Sequence, residues 1–149
     1  MEIAVLACGC FWGPEIKFSR LDGVYKTEVG YCGGNTSKTS YQEVCEGDTN
    51  HAEVVKLDFD PKIISYEKIL DYFFEIHDPT TLNSQGPDFG TQYRSEIFYL
   101  NIKQKEIAEK ILKLKNNDFS GKIVTKLSLL KNYCVAEEYH QKYLDKNFR

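Results

Sequence analysis

The stretch E-I-A-V-L-A-C-G-C-F-W-G-P-E-I-K-F-S-R-L-D-G, Glu2 to Gly23, decides how the rest of the chain is read. Glu2 to Ala7 is a short apolar run that stops at Gly9, too brief for three helical turns and therefore assigned to a buried strand. Gly13, Pro14 and Glu15 then open a helix, because proline is tolerated in a first turn and an early acid complements the positive helix end. Ile16, Phe18 and Leu21 supply its apolar side, and Asp22-Gly23 ends it.

Outward from this strand and helix, Val24 to Tyr31 reads as a second strand closed by Gly33-Gly34, and Asn35 to Ser40 as a loop. Ser40-Tyr41-Gln42-Glu43 caps a short helical turn. In A-E-V-V-K-L-D-F, Ala52 to Phe59, alternation puts Val55, Leu57 and Phe59 on one face and Lys56 and Asp58 on the other, the pattern of a half-buried strand. Ser65 opens a helix in which Ile69, Leu70, Phe73, Phe74 and His77 recur at helical spacing until Asp78-Pro79 stops it. Thr80 to Gly90 has no periodicity and reads as a loop of about a dozen residues, a length that in a compact domain points to function. Ser95 to Leu100 is predicted as a strand, Ile102 to Lys115 as a helix, Lys122 to Leu130 as a strand and Ala136 to Lys146 as a last helix. The order β-α-β-β-α-β-α-β-α, without linker or repeat, predicts one domain over 1–149. Its class is α+β: a two-layer ferredoxin-like α/β plait with a mixed sheet and helices on one side, preferred over a doubly wound sheet.

The 149 residues include 19 basic and 22 acidic side chains, a formal net charge of −3, with no basic run longer than two. That balance excludes the electrostatic footprint of a nucleic-acid binder and gives no reason to expect an anionic membrane surface as partner. No apolar stretch approaches the ~20 residues of a membrane span. The N-terminal stretch carries Glu2 rather than the basic residues of a secretory signal, so a cytoplasmic protein is expected. Five cysteines, Cys8, Cys10, Cys32, Cys45 and Cys134, are an odd number and suggest free thiols rather than a disulfide framework. Neither C-x-x-C nor H-x-x-x-H occurs, so no metal site is expected.

Cys10 lies between a buried strand and a helix start, where unpaired amides and the helix dipole favour an anion and are expected to lower the thiol pKa. It is the candidate nucleophile, and Phe11 and Trp12, the only tryptophan, follow it where a turn would otherwise be polar. Glu53 shares the inward face of its strand with Val55, Leu57 and Phe59. Desolvation there raises a carboxyl pKa and yields a proton donor near neutral pH. Asp88 and Tyr93 stand in G-P-D-F-G-T-Q-Y-R-S, and Tyr41 in the short turn before Cys45.

Six stretches occur in order along nearly the whole chain: G-C-F-W-G (Gly9 to Gly13), Y-Q-E-V-C (Tyr41 to Cys45), G-D-T-N-H-A-E-V-V (Gly47 to Val55), H-D-P-T-T-L-N (His77 to Asn83), G-T-Q-Y-R-S (Gly90 to Ser95) and A-E-E-Y-H-Q-K-Y-L (Ala136 to Leu144). Together they resemble peptide methionine sulfoxide reductase of the A type. The resemblance implies the same α+β plait and reduction of methionine S-sulfoxide, free or in oxidised proteins, as a protein-repair oxidoreductase. It implies Cys10 as nucleophile, Glu53 as acid, Phe11 and Trp12 as the wall for the substrate methyl group, and Tyr41 and Tyr93 as hydroxyls that hold the sulfoxide oxygen. Asp88 would order the site through water. No cofactor is bound; an external thiol, thioredoxin or glutaredoxin with glutathione, or dithiothreitol in vitro, restores the cysteine sulfenic acid formed at Cys10. Pro87 stands where the family usually has Asn, and Cys32 where Thr or Ala is usual.

Sulfoxide chemistry needs the same residues, since a sulfoxide oxygen leaves only when protonated and its sulfur needs a soft nucleophile. Two other classes compete: a thiol or methionine-peptide binding module, which has no use for Glu53, and a thiol peroxidase, which favours a basic partner for its thiolate. Many family members carry a glycine-rich tail with resolving cysteines, and none is present here. Direct attack by an external thiol is therefore expected first. Cys134, read as lying in a loop between the last strand and last helix, is the next candidate resolving cysteine, and Cys32 a distant third. Cys8, two residues from Cys10 on an extended strand, is at the limit of disulfide geometry; by the resemblance Cys45 is structural.

Overall fold

The computed structural model describes residues 1–47 and 49–147; Asp48, within the Gly47–Val55 stretch, and Phe148 and Arg149 lie outside the described residues. Strand β1 (Glu2–Cys8) leads into α1 (Trp12–Ser19), β2 (Val24–Cys32), a short α2 (Tyr41–Glu46), β3 (Ala52–Phe59) and α3 (Tyr66–Glu75). β1 is antiparallel to both β3 and β6 (Ser95–Tyr99), with Leu6 opposite Val55 on one side and Ile97 on the other. β3 pairs antiparallel with β2, bringing Tyr31 opposite Glu53. The resulting order β6-β1-β3-β2 carries the two crossover helices α1 and α3 and is the plait expected from the element order. α4 (Ile102–Asp118) crosses to β7 (Lys126–Leu129), which adds parallel to β6, and β8 (Cys134–Val135) closes the other edge antiparallel to β2, making the sheet mixed.

The helical face of the sheet holds most of the core. Leu6, Val29, Tyr31, Val55, Leu57, Phe59 and Ile97 pack with Phe18 of α1 and with Ile69, Leu70 and Phe73 of α3. These are the alternating strand positions and the helical stripe read from the sequence. Ser65 caps α3 by accepting the Lys68 amide at 3.1 Å, and Ser40 caps α2 by accepting the Glu43 amide at 3.2 Å.

Five expectations are corrected. β3 is not simply half-buried: Ala52 and Val54 are also covered, by a second cluster with Val5, Ala7, Cys32 and Phe98, over which Leu130 and Tyr133 pass. The Thr80–Gly90 loop contains a small hairpin, β4 (Ser84–Gln85) with β5 (Asp88–Phe89). The strand expected over Lys122–Leu130 is limited to Lys126–Leu129. The helix expected over Ala136–Lys146 does not form; a 3-10 turn at Glu138–His140 and a short α5 (Tyr143–Asn147) stand there, separated by Lys142 at φ 51°. Long-range side-chain bonds, described below, compete with a continuous helix in this segment. Cys134 is accordingly in an edge strand opposite Tyr31, not in a loop.

No helix among the described residues is long and apolar enough to cross a membrane.

Candidate active site

β1 delivers the chain to a tight link at Gly9, whose φ of 94° suits glycine and where a Cβ would meet Gln85 at 2.7 Å. Cys10, Phe11 and Trp12 follow at the start of α1. The Trp12 amide hydrogen-bonds the Cys10 sulfur, the interaction expected of a helix start, yet burial pushes the Cys10 thiol up to about 11, with the charges of Glu53 and Asp88 acting in the same direction. The expected lowering is therefore overturned. One amide at the head of an eight-residue helix cannot offset removal of a thiolate from water beside two carboxyl groups. Cys8 is higher still, pushed by burial up to about 12.

Glu53 lies on β3 with 1% of its surface exposed. Its Oε1 accepts the Phe11 amide at 3.3 Å, which ties the acid to the residue next to Cys10, and its Oε2 has no partner among the described residues. Burial pushes the carboxyl up to about 8; the Phe11 amide opposes this and the charge of Asp88 reinforces it. A buried carboxyl oxygen without a partner is costly in a finished structure unless it holds a proton or awaits a ligand.

Tyr41 begins α2, and Tyr93 ends the 3-10 turn Thr91–Tyr93. The Tyr41 hydroxyl hydrogen-bonds the Cys45 thiol and the Tyr93 hydroxyl. Burial holds both phenols protonated, Tyr93 up to about 12, and the charge of Glu53 raises each of them further. Asp88, on β5, acts electrostatically on Cys10, Glu53 and Tyr93 together. The five expected polar groups thus converge around one point although they come from β1–α1, α2, β3 and the hairpin region. Phe11 is 1% exposed, its ring centroid 5.7 Å from that of Tyr31.

The segment 136–147 contributes residues that sequence reasoning did not single out. His140, 1% exposed, accepts the Trp12 indole N–H on Nδ1 at 3.1 Å, and its ring lies 5.2 Å from Phe11 and 4.6 Å from Tyr41. Burial lowers its pKa, against the pull of Glu137, so the ring is neutral with its proton on Nε2. Tyr143 stacks on Trp12 at 3.7 Å and 10°. Glu137 accepts the Tyr31 hydroxyl at 2.8 Å and the Tyr41 amide at 2.9 Å. Burial pushes Glu137 up, but those bonds, its own amide and His140 outweigh it and hold the carboxyl below its ordinary value. Gln141 copies a strand with its side-chain amide, accepting the Val29 N–H and donating to the Val29 carbonyl, both at 2.9 Å. The signal was present in A-E-E-Y-H-Q-K-Y-L, where polar and aromatic residues alternate without a helical apolar stripe.

Of the other thiols, Cys134 is opposite Tyr31, hence on the same sheet face as Tyr31 and Glu53, with its sulfur 3.8 Å from the Thr39 carbonyl. Cys32 is buried, pushed by burial up to about 11, and donates to the Lys131 carbonyl at 3.3 Å. Cys45 is exposed at the rim. Among the described residues, no cluster of His, Cys, Asp or Glu is arranged to hold a metal ion.

A family model described as peptide methionine sulfoxide reductase matches residues 2–149. The chain is 77% identical over 146 residues to peptide methionine sulfoxide reductase MsrA of Pelagibacter ubique (strain HTCC1062), covering 98% of this chain and 99% of that protein. It is 50% identical over 146 residues to peptide methionine sulfoxide reductase of Fragaria ananassa, covering 97% of this chain and 76% of that one. Among solved structures, Mxr1 from Saccharomyces cerevisiae in reduced form superposes with a TM-score of 0.93 at 47% identity, over 98% of this chain and 85% of Mxr1. Mxr1 in complex with Trx2 gives a TM-score of 0.67 at 30% identity, over 95% of this chain and 84% of that one.

Proposed function

Because the chain belongs to the peptide methionine sulfoxide reductase family, we propose that Cys10 and Glu53 divide its chemistry between them, the thiol taking the sulfoxide sulfur and the carboxylic acid its oxygen. The protein is an oxidoreductase that reduces methionine sulfoxide to methionine. The observation that carries the division of labour is the unpartnered Oε2 of a buried Glu53 whose other oxygen is tied to the residue following Cys10.

At neutral pH both groups hold their protons at rest, since the thiol is pushed up to about 11 and the acid to about 8. Substrate enters with its methyl group against Phe11 and Trp12 and its oxygen among Glu53, Tyr41 and Tyr93, while Asp88 orders the site. The Cys10 thiol releases its proton as its sulfur attacks the sulfoxide sulfur. Glu53 delivers its own proton to the oxygen. The sulfoxide S–O bond breaks, the oxygen passes to Cys10 as a sulfenic acid, methionine departs reduced, and Glu53 is reloaded with a proton. An external thiol then attacks the sulfenic sulfur and expels water, and a second thiol releases reduced Cys10. The complex of Mxr1 with Trx2 supports a thioredoxin as that donor, with glutaredoxin or glutathione as alternatives. We assign these steps to a single catalytic domain, 1–149, and specificity to the S epimer. An odd number of cysteines suits free thiols, and we place the protein in a reducing cytoplasm.

Turnover with dithiothreitol, using methionine S-sulfoxide or hydrogen peroxide as oxidant, tests the reading. Turnover of the sulfoxide alone, abolished in Cys10→Ser, is expected. A preference for peroxide would instead favour a thiol peroxidase, and sulfoxide binding without turnover a binding module.

A further inference from the structure

Glu15 is the acid that the first turn of α1 would be expected to use against its own free amides. Instead it is 2% exposed, and the bonds its carboxylate accepts come from elsewhere in the chain. Oε1 accepts the backbone N–H of Lys142 at 2.6 Å; Oε2 accepts the Thr27 hydroxyl at 2.9 Å and lies 3.6 Å from the Lys142 ammonium. Lys142 is held at φ 51°, a left-handed conformation that a non-glycine residue adopts only when its surroundings impose it. Two residues before it stands His140, which accepts the Trp12 indole N–H, and immediately after it Tyr143, which stacks on the Trp12 ring. Trp12 and Glu15 are three apart on α1 and so occupy one side of its first turn. A cleft of about 260 Å³ runs beside them, bordered by Trp12, Glu15, Thr27 and Lys142.

We propose that Glu15 is a positioning residue of the methyl pocket: its carboxylate clasps the Lys142 backbone and thereby sets His140 and Tyr143 against Trp12, fixing the indole as a rigid wall. The proposal rests on the reading of Trp12 as that wall. Glu15 touches no reacting atom, so its loss acts on recognition of the methyl group and leaves sulfur attack and proton delivery in place. Without the carboxylate the Lys142 amide has no acceptor, the left-handed turn relaxes, and water from the cleft reaches the back of the indole.

Trp12 is the only tryptophan, so intrinsic fluorescence reports on the wall alone. In Glu15→Ala the emission is expected to shift to the red and to become more accessible to acrylamide. The KM for methionine S-sulfoxide rises on the order of tenfold, the scale of a lost apolar contact, while the single-turnover rate at saturating substrate stays within threefold. Glu15→Gln retains an oxygen for the Lys142 amide and restores both readouts. Lys142→Gly keeps the N–H and tolerates the left-handed turn, so it remains close to the parent and separates the backbone clasp from the ion pair. If Glu15→Ala does not fold, Glu15→Met, which fills the same space without an acceptor, gives the same two measurements. A fall in melting temperature with unchanged emission and KM in Glu15→Ala or Glu15→Met overturns the proposal. If Trp12→Ala itself leaves KM and epimer preference unchanged, the wall fails and takes the pocket role of Glu15 with it. If Trp12→Ala raises KM and the Glu15 variants do not, only the clasp fails.

Discussion

Replacement of Glu53 by glutamine tests the proton-delivery step with little disturbance of shape. The amide keeps an oxygen for the Phe11 N–H, now 3.3 Å from Oε1, and loses only the acidic proton. With its carboxyl pushed up to about 8, Glu53 is about nine-tenths protonated at pH 7; at its ordinary value of 4.5 only about three carboxyls in a thousand would be. The site therefore multiplies the loaded donor about 300-fold at pH 7, before any gain from aiming it. Glu53→Gln forfeits both contributions, and a loss of about 10²–10⁴ in the reduction step is expected, the range of general acid catalysis. The assay is rapid-quench measurement of methionine released in one turnover without reductant, which isolates reduction from recycling. A single-turnover rate equal to the parent's would refute the argument. The same substitution has a stability signature with a definite sign. The folded carboxyl keeps its proton up to about 8 and the unfolded one loses it near 4.5, so the stability contribution is full below the lower value and is lost as pH rises toward the higher. Glu53→Gln does not ionise, and it should melt above the parent at pH 9 and show no such advantage near pH 5.

Alkylation of Cys10 should accelerate with pH along a curve displaced toward 11, and in Glu53→Gln that curve should move to lower pH because one opposing charge is gone; an ordinary thiol titration, unmoved by the substitution, would contradict the coupling. Mass spectrometry after one turnover without reductant should find a sulfenic acid at Cys10, with recycling by thioredoxin unimpaired in Cys134→Ser, whereas a Cys10–Cys134 disulfide would make the edge-strand cysteine the resolving one. Tyr41→Phe and Tyr93→Phe should each slow single turnover while leaving Cys10 alkylation unchanged, and loss of alkylation in either would assign that hydroxyl to the thiol rather than to the sulfoxide oxygen.

The parts of the molecule that sequence made legible are those governed by a periodic burial rule. Val55, Leu57 and Phe59 announced the inward face of β3, and Glu53 was conspicuous because it broke that pattern on the same face. Ile69, Leu70 and Phe73 fixed α3 in the same way. Cys10 was legible in position and misleading in charge, because a local rule about helix ends says nothing of how deeply the fold will bury the thiol or of Asp88 arriving from a distant hairpin. Ala136 to Lys146 reads as a helix because its composition permits one. Its conformation is decided by Tyr31, Tyr41, Val29 and Glu15, partners about a hundred positions away that no window along the chain contains.

Trp12 and His140 are joined across 128 positions of sequence, and the segment that carries His140 is anchored mainly through side chains rather than by a long helix or a sheet ladder. Such a segment forms a weaker cooperative unit than the six-stranded sheet beneath it, and in a folded population it detaches more often than the sheet opens. Catalysis and fold are then lost in sequence. Mild denaturant or warmth should empty the proposed methyl pocket while the sheet persists, and in hydrogen exchange the amides of Gly30 and Tyr31 should outlast those of His140 and Gln141. With Trp12 as the proposed wall of the pocket, methionine sulfoxide should bind the docked segment and draw this equilibrium back. A methionine sulfoxide reductase built this way has its side-chain-anchored segment reinforced by its own substrate.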